Sequence, residues 1–362
     1  MNDKLTEARK IINEIDAKMA ELFVERMKAA EMVAEHKREH GLVVLDPVRE
    51  AEVIRRGSER VEDGVYREYY VNFQKSTMAI SRAYQTRLLE GMTVAYSGTE
   101  GAYAHIAATK LFPTAKKIGY GSFDAAYAAV ESGECDVAVL PIENNYNGDV
   151  GQVTDLMFSG SLYVNNVTEL AISHDLLAPH GTRIEDVRTV ISHPQALGQC
   201  HKYIVDHGFD EIEFSNTALA AKHVADLNDG KTAAIASAEA ADIFGLQVLD
   251  TNINASRINT TRFAVFSRSR KKHDAGEARV KSILLFTVKN KAGALSKAVE
   301  IIGKHGFNMG ALRSRPMKEL MWQYYFYVEA EGNLDTESGE SMIAELSKCC
   351  ERLKYVGAYV IS

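Results

Sequence analysis

The segment MAELFVERMKAAEMVAEHK, Met19 to Lys37, has the spacing of a helix that buries one face. Apolar or small residues recur every three or four positions through it and through the residues before it, as in a helical seam. These positions are Leu5, Ala8, Ile12, Ile15, Met19, Leu22, Ala29 and Val33. Arg26 occupies the position where the seam would place another Leu or Met. The pattern therefore predicts one long helix with a cation on its apolar face.

The predicted first helix is too long for a small domain. From Leu5 to Glu39 it would measure about 52 Å, whereas a domain of about 90 residues is only about 30 to 35 Å across. Two further segments are helical in pattern, and Asp46 and Pro47 are a good N-cap and first helical residue for the earlier of them. Residues 1–90 are therefore predicted to be all-helical and to pack against a second copy of the chain.

Arg26 and Lys37 are spaced to act together. They stand eleven positions apart, about three helical turns, so both point the same way about 16 Å from each other and could converge on a small dianion. Arg9 lies about 25 Å before Arg26 and about 100° round the helix, so it cannot reach the same ligand from the same chain. The alternative is that Arg26 extends along the seam to solvent and that the other cations form a solvated face.

Polar residues on the other two helices favour an anion site. Asp46, Arg49 and Glu50 lie near the start of the second helix, and Ser81 and Gln85 share one face of the third. A cation inside an apolar seam needs partners of this kind.

With this spacing, residues 1–90 resemble the AroQ class of chorismate mutases, which are all-helical intertwined dimers that rearrange chorismate to prephenate. The resemblance implies that Arg26, Lys37 and Gln85 are catalytic. It implies that the substrate is also bound by Arg9 from the partner subunit and by Asp46, Arg49, Glu50 and Ser81. A pericyclic rearrangement needs no nucleophile or base, so cations and an amide donor near the breaking ether bond are sufficient.

The bulk composition is that of an ordinary globular protein, with 362 residues, 46% hydrophobic, 25% charged and a net charge of -7. This length favours two or three domains, and the acidic balance argues against a nucleic-acid partner. No stretch is apolar enough for a membrane span, and MNDKLTEARK lacks the apolar core of a signal peptide. We expect a cytoplasmic protein that does not bind membranes. The four cysteines show no zinc spacing and are expected to be free thiols.

From Met92 the pattern changes to short apolar runs that alternate with helical segments, which is typical of a mainly parallel sheet covered by helices. Several runs end in polar turns at helix starts, where anions bind in open α/β sheets. Gly98 and Gly101 do not form a dinucleotide fingerprint, and His193, Cys200 and His201 form no compact metal-ligand set. We expect neither a cofactor nor a metal.

Three motifs in this block occur together: PIENN, SHPQALGQC and NTTRF. Their combination resembles the prephenate dehydratase domain, over residues 92–267. The resemblance implies two α/β lobes, similar to periplasmic binding proteins, with the substrate in the cleft. It implies that Thr261 assists departure of the ring hydroxyl. The implied substrate-binding residues are Glu143, Asn144, Gln195 and Arg262, with Arg262 or helix N-termini taking the carboxylates. Asn145 departs from the family, which usually has Ser.

Residues 267–281 are charged and are predicted to be a linker, and residues 280–362 then show the order βαββαβ of a ferredoxin-like domain. The motifs GAL and SRP make this block resemble an ACT domain, which binds phenylalanine at a dimer interface in that enzyme family. The implied effector-binding residues are Gly293, Ala294, Leu295, Ser314, Arg315 and Pro316. Ser296 and Arg313 replace the family's Val and Glu. The alternative is a purely structural dimerisation domain.

These resemblances together predict a bifunctional chorismate mutase and prephenate dehydratase with a C-terminal regulatory domain. It would use chorismate and prephenate as substrates, respond to phenylalanine, and form a homodimer or a tetramer. Dehydration of arogenate is the close alternative, because no residue diagnoses the amino group by which arogenate differs. A non-catalytic amino-acid sensor is the alternative from another class, since two-lobed domains and ACT modules both serve regulation.

Overall fold

The computed structural model describes residues 2–255, 258–274, 279–317 and 323–360. The chain forms two compact units, Met1–Met92 and Thr93–Ser362. The predicted boundary near residue 90 falls next to the division between them. The predicted linker at 267–281 lies inside the second unit.

The first unit consists of three helices, α1 (Asn2–His40), α2 (Pro47–Ser58) and α3 (Gly64–Glu90). Asp46 caps α2 as predicted, because its carboxylate accepts from the backbone N–H of Arg49 at 2.9 Å. Asp63 caps α3 in the same way by accepting from the N–H groups of Val65 and Tyr66. Aspartate caps therefore set the starts of both shorter helices.

Only the second half of α1 packs within its own chain. The helix has 39 residues, about 58 Å, and its buried positions are Ala30 and Ala34, one residue later than the predicted Ala29 and Val33. The apolar residues of its first half remain exposed, with Leu5 at 52% and Leu22 at 63%. The others in this half are Ile11, Ile12, Ile15, Met19, Phe23 and Val24. An exposed apolar face of this size marks an interaction surface.

The described residues of the second unit form three sheets. Its elements are, in chain order, β1 (Thr93–Ser97), α4 (Tyr103–Leu111), β2 (Lys116–Tyr120), α5 (Phe123–Glu131), β3 (Val137–Asn144), β4 (Gly148–Asp149), α6 (Gly151–Ser159), β5 (Tyr163–Ala171), β6 (Asp175–Ala178), β7 (Thr189–Ser192), α7 (Pro194–His207), β8 (Asp210–Glu213), α8 (Thr217–Leu227), β9 (Thr232–Ala236), α9 (Ala238–Phe244), β10 (Gln247–Asp250), β11 (Thr260–Ser267), β12 (Val280–Val288), α10 (Ala294–Lys304), β13 (Asn308–Pro316), β14 (Tyr324–Glu331), α11 (Glu337–Leu346) and β15 (Cys350–Val360).

Two of these sheets form the predicted α/β lobes. The first has the order β2-β1-β3-β11-β5, with β4 beside β3, and the second has the order β10-β6-β9-β7-β8. The chain crosses to the second lobe after β5 and returns in β11. In the first lobe β11 lies between β3 and β5, antiparallel to both, which places Thr261 opposite Asn144 and Arg262 opposite Glu143. Returning strand β11 thereby brings the PIENN and NTTRF motifs side by side.

The C-terminal sheet has the predicted element order and the strand order β13-β14-β12-β15. It packs on the first lobe, where β15 approaches β5 so closely that a Cβ at Gly357 would collide with the carbonyl oxygen of Val164. Gly357 has φ +144, a conformation that favours glycine. Arg352 donates to the carbonyl of Phe158 at 2.8 Å from the same strand. The sheet is therefore integral to the second unit.

The predicted linker is anchored where the structure describes it. Arg268 donates to the carbonyl of Cys135 at 2.7 Å, and Arg270 pairs with Asp335 at 3.0 Å. His273 is buried and contacts the carbonyl of Ala358 at 3.1 Å. The charges that made this segment look like a solvated linker instead bind it to both neighbouring sheets.

All four cysteines are free thiols, as predicted. Among the helices in the described part of the chain, none has the length and apolar composition needed to cross a bilayer.

Candidate functional site

The first unit brings two predicted cations together with two predicted polar residues. Arg26 donates to Ser81 Oγ and, at 3.4 Å, to the carbonyl of Thr77. About three turns further along α1, Lys37 Nζ donates to Gln85 Oε1 at 3.4 Å. We call Arg26, Lys37, Ser81 and Gln85 the helical cluster.

The helical cluster has a buried polar floor. Ser81 and Gln85 are only 5% and 8% exposed, while Arg26 and Lys37 are half-buried. Lys37 also donates to the carbonyl of Val44 in the loop before α2. Two cations held over partly desolvated polar groups attract a small anion more strongly than the same cations would in bulk water.

The predicted residues of α2 and its N-cap contact groups outside the helical cluster. Glu50 pairs with Arg82, a cation that the sequence reasoning missed although it follows Ser81 directly. Arg49 is mostly exposed and pairs with Glu52 at 2.7 Å, and Asp46 serves as the cap of α2.

Arg9 is exposed and lies in the half of α1 whose apolar side chains are also exposed. It lies about 25 Å from Arg26 along the helix. The described chain therefore does not bring Arg9 to the helical cluster, in agreement with the distance argument from the sequence.

A cavity of about 500 Å³ lies between the two lobes of the second unit, within the usual range of roughly 300 to 1,000 Å³ for ligand sites. It is lined by predicted residues Asn144, Gln195 and Thr261. Further polar residues on its wall are Ser97, Tyr103, Asn147, Asp149, His174, His193, Gln199, Asn216, Thr217 and Asn259. We call this the interlobe cavity.

Asn144 orients the hydroxyl of Thr261. Its Nδ2, with two hydrogens shared among three acceptors, lies 2.9 Å from Thr261 Oγ1, 2.8 Å from Asn259 Oδ1 and 3.2 Å from the carbonyl oxygen of Thr260. Its Oδ1 accepts from the backbone N–H of Asn147 at 2.9 Å, so the amide is held at both ends. Because Thr261 accepts here and no described group accepts its proton, its O–H is available to a ligand in the interlobe cavity.

Gln199 is a site residue that the sequence reasoning missed. Its Oε1 accepts from Asn259 Nδ2 at 2.9 Å and contacts His174 Nε2 at 2.8 Å. Both lone pairs of that oxygen are used, and Gln199 lies on the wall of the interlobe cavity. The motif carried the signal, because Gln199 stands one helical turn after Gln195 on the same face of α7.

Burial favours the neutral form of His174 in this network. It is buried, and burial lowers its pKa, since desolvation disfavours the charged imidazolium. Because an amide oxygen can only accept, His174 Nε2 carries the proton that bonds to Gln199. Its Nδ1 is 3.1 Å from the hydroxyl of Tyr103, whose pKa burial raises well above the ordinary value.

Helix N-termini supply the positive potential of the interlobe cavity. The first turns of α7 and α8 lie on its wall, capped by His193 and Asn216, and Asn216 accepts from the N–H of Leu219 at 2.7 Å. Among the described residues that line it, none is Lys or Arg. Anions would therefore be bound by backbone N–H groups and helix dipoles.

Glu143 and Arg262 do not line the interlobe cavity, contrary to their predicted role in substrate binding. Side chains alternate along a strand, so each points away from the cavity that its neighbour, Asn144 or Thr261, faces. Arg262 pairs with Glu143 at 3.1 Å and with Glu329 of the C-terminal sheet at 3.0 Å. Neither side chain is therefore placed to contact a ligand in the interlobe cavity.

Arg313 completes an ion network between the first lobe and the C-terminal sheet. It pairs with Glu143 from β13, and Lys281 pairs with Glu329 at 2.7 Å. Burial alone would raise the pKa of Glu329, but hydrogen bonds from Lys281 and Tyr359 and the charge of Arg262 outweigh it and lower that pKa. We call Glu143, Arg262, Arg313, Glu329 and Lys281 the inter-sheet network.

The two predicted effector motifs lie at the same end of the C-terminal sheet. β12 and β13 flank β14 and both pair antiparallel with it. The carboxyl ends of β12 and β13 therefore lie at the same end of the sheet, about 10 Å apart. Gly293, Ala294 and Leu295 start α10 after β12, and Ser314, Arg315 and Pro316 end β13. Arg315 is engaged at 3.1 Å by Asp155 of α6, so its guanidinium is not open at that end.

Two family models match the chain. Residues 8–86 match chorismate mutase type II, and residues 94–271 match prephenate dehydratase.

Similar proteins match over most or all of the chain. A protein of Aquifex aeolicus (strain VF5) named bifunctional chorismate mutase/prephenate dehydratase is 31% identical over 364 residues, with 99% of this chain and 98% of that protein aligned. The protein of Arabidopsis thaliana named arogenate dehydratase/prephenate dehydratase 2, chloroplastic, is 34% identical over 278 residues, covering 74% of this chain and 72% of its own.

Among solved structures, the prephenate dehydratase from Arthrobacter aurescens in complex with L-Phe is similar in fold. Its TM-score is 0.69 at 24% identity, covering 74% of this chain and 90% of that one.

Proposed function

Because the chain belongs to the family of bifunctional chorismate mutase/prephenate dehydratases, we propose how its residues carry the two reactions. The enzyme rearranges chorismate to prephenate and converts prephenate to phenylpyruvate in aromatic amino acid biosynthesis. The first activity is that of an isomerase and the second that of a lyase. A non-catalytic sensor, the alternative from another class, does not fit this membership.

The helical cluster is proposed as the mutase site. Chorismate is a dicarboxylate, and Arg26 and Lys37 supply two cations spaced for such an anion on the buried floor of Ser81 and Gln85. Lys37 and the Gln85 amide are proposed to stabilise charge on the ether oxygen as its bond breaks. Holding the substrate compact supplies the remaining acceleration without any nucleophile.

A second copy of the chain is proposed to complete the mutase site. The apolar face of α1 from Leu5 to Leu22 is exposed in the single chain, and Arg9 lies on this half of the helix. Pairing two α1 helices would bury that face and bring Arg9 to the partner's helical cluster. Whether two dimers pair further into a tetramer is tested by light scattering.

Thr261 is proposed as the acid that assists loss of the ring hydroxyl. The observation that carries this proposal is the bond from Asn144 Nδ2 to Thr261 Oγ1 at 2.9 Å on the cavity wall, which uses an acceptor site of that oxygen and leaves its proton for a ligand. Departure of water is coupled to loss of carbon dioxide and to formation of an aromatic ring, so a weak acid is sufficient. Gln199 and Gln195 would orient the substrate through their amides.

The carboxylates of prephenate are proposed to lie against the N-termini of α7 and α8. This role is supported by the first turns of both helices, which lie on the wall of the interlobe cavity. Arg262 is not available for it, because it is paired in the inter-sheet network. A site of backbone donors suits a reaction that expels one carboxylate as carbon dioxide, because it binds that group without a strong ion pair to break.

Prephenate is the proposed substrate of the dehydratase, and arogenate is the second candidate. Arogenate is included because the similar Arabidopsis thaliana protein has both activities in its name. Purified enzyme supplied separately with prephenate and arogenate tests the choice: a higher kcat/KM for prephenate supports it, and a higher value for arogenate overturns it.

Phenylalanine is proposed to regulate the dehydratase through the C-terminal sheet, with an ACT-type fold. The two predicted motifs lie at one end of the C-terminal sheet, and a partner sheet is proposed to complete the binding site. Coupling to the interlobe cavity would run through the pair of Arg313 with Glu143, because Glu143 directly precedes Asn144. The test is whether phenylalanine slows prephenate turnover at concentrations that leave mutase turnover unchanged.

The enzyme is proposed to work in the cytoplasm, which rests on the sequence alone.

A further inference from the structure

The last turn of α1 carries three metal-ligating side chains on one face. His36, Glu39 and His40 stand at positions i, i+3 and i+4, and one donor atom from each lies within 4.8 Å of the others. All three side chains are exposed. Within the residues that the structure describes, no other group of three such donors lies as close together.

The hydrogen bonding of His40 prepares one ring nitrogen for a metal. His40 Nδ1 is 2.8 Å from the carbonyl oxygen of His36. A carbonyl can only accept, so Nδ1 carries the proton and the lone pair stays on Nε2. A backbone carbonyl that fixes the tautomer in this way is the usual second partner of a metal-bound histidine.

The electrostatics of the turn also favour a cation. The C-terminus of a long helix carries a partial negative charge, and Glu39 adds a full one. The neighbouring cations are directed elsewhere, since Lys37 donates to Gln85 and Arg38 donates to the carbonyl of Leu88 at 3.0 Å. Neither occupies the face that His36, Glu39 and His40 share.

We propose that His36, Glu39 and His40 form a site for a divalent transition-metal ion of the Zn²⁺ class. Two imidazoles and one carboxylate are ligands that Zn²⁺ takes at about 2.0 to 2.2 Å, with water in the remaining position. Magnesium and calcium prefer sites made of oxygen ligands alone, so they are not the expected ions. This proposal departs from the sequence expectation of no metal and does not depend on the proposed catalytic roles.

Isothermal titration of the full-length protein with Zn²⁺ tests this proposal. Wild type should bind one equivalent at this site, and His36→Ala and His40→Ala should each weaken that binding at least about tenfold. His207→Ala is the matched control, because His207 Nδ1 lies 2.9 Å from the carbonyl of Tyr203 in the same arrangement but has no histidine four residues before it. The control should bind as wild type does.

The four free cysteines are the competing ligands, so the ion's donors need a spectroscopic readout. Co²⁺ bound at the proposed site should lack the intense thiolate-to-metal absorption of a cysteine site and should be displaced by Zn²⁺. Undiminished binding in His36→Ala/His40→Ala, an equal loss in His207→Ala, or thiolate absorption from the single bound equivalent would each overturn the proposal.

Discussion

Thr261→Val should abolish most of the dehydratase activity with little effect on folding. Valine has the shape of threonine without the hydroxyl, and the side chain is 8% exposed, so little packing volume changes. The variant removes only the O–H that would protonate the leaving hydroxyl. General-acid assistance is worth about 10² to 10⁴ in rate, so kcat should fall by that factor, about 3 to 5 kcal/mol of barrier.

The expected effect on substrate binding is small. Asn144 Nδ2 loses one of three acceptors but keeps Asn259 at 2.8 Å and the carbonyl of Thr260 at 3.2 Å, so its orientation should persist. KM for prephenate should therefore change less than kcat. The assay is conversion of supplied prephenate to phenylpyruvate, with chorismate conversion by the same preparation as an internal measure of folding.

Thr260→Val is the matched control, because its side chain is next on the same strand and on the opposite face, and only its backbone carbonyl bonds to Asn144. It should retain dehydratase activity. A kcat of Thr261→Val within about threefold of the wild-type value would refute the acid role. An equal loss of kcat in Thr260→Val would show that disturbance of the strand, and not loss of the hydroxyl, lowers the activity.

Three further perturbations probe the rest of the molecule. Arg26→Met should lower mutase kcat/KM by about 10² to 10³, because it removes a cation from the helical cluster. Lys28→Met, at an exposed position on α1, should leave kcat/KM unchanged. Equal losses in a chorismate assay would contradict the assignment of the mutase site to the helical cluster. Arg313→Met should leave basal prephenate turnover near normal but raise the phenylalanine concentration for half-inhibition at least threefold, because the pair with Glu143 is lost; unchanged inhibition would exclude this route. The pKa of His174 lies below 6.5 in the folded protein because burial disfavours its charge, so the unfolded chain takes up the proton first and stability falls as pH drops below that value. Urea unfolding at neutral and mildly acid pH should show this loss in wild type and less of it in His174→Gln.

The helical cluster could be predicted from the sequence because it depends on helical spacing. Arg26 interrupts an apolar seam, Lys37 follows three turns later, and Ser81 and Gln85 share a face by their four-residue separation. The structure brings these four together. The buried face of α1 differs by one residue from the prediction, because α3 packs beside the seam and buries Ala30 and Ala34.

The interlobe cavity could be predicted only in part. Motifs marked Asn144 and Thr261, but the chain of bonds through Asn259, Gln199 and His174 joins residues up to 115 positions apart and depends on how the lobes meet. No local pattern encodes such a meeting.

Strand alternation was a signal that the motifs obscured. Glu143 and Asn144 are neighbours on β3, as Thr261 and Arg262 are on β11, so one member of each pair had to face away from the cavity. The sequence could not show which face was the cavity, nor that the opposite face would meet the C-terminal sheet through Glu329 and Arg313.

One chain is proposed to carry two separate sites that act in sequence. The most direct test supplies chorismate to wild type, Arg26→Met and Thr261→Val and follows prephenate and phenylpyruvate over time. Wild type should form phenylpyruvate, Thr261→Val should accumulate prephenate, and Arg26→Met should leave chorismate unconverted while still dehydrating supplied prephenate. Loss of both steps in each variant, or of neither, would contradict the assignment of the two sites.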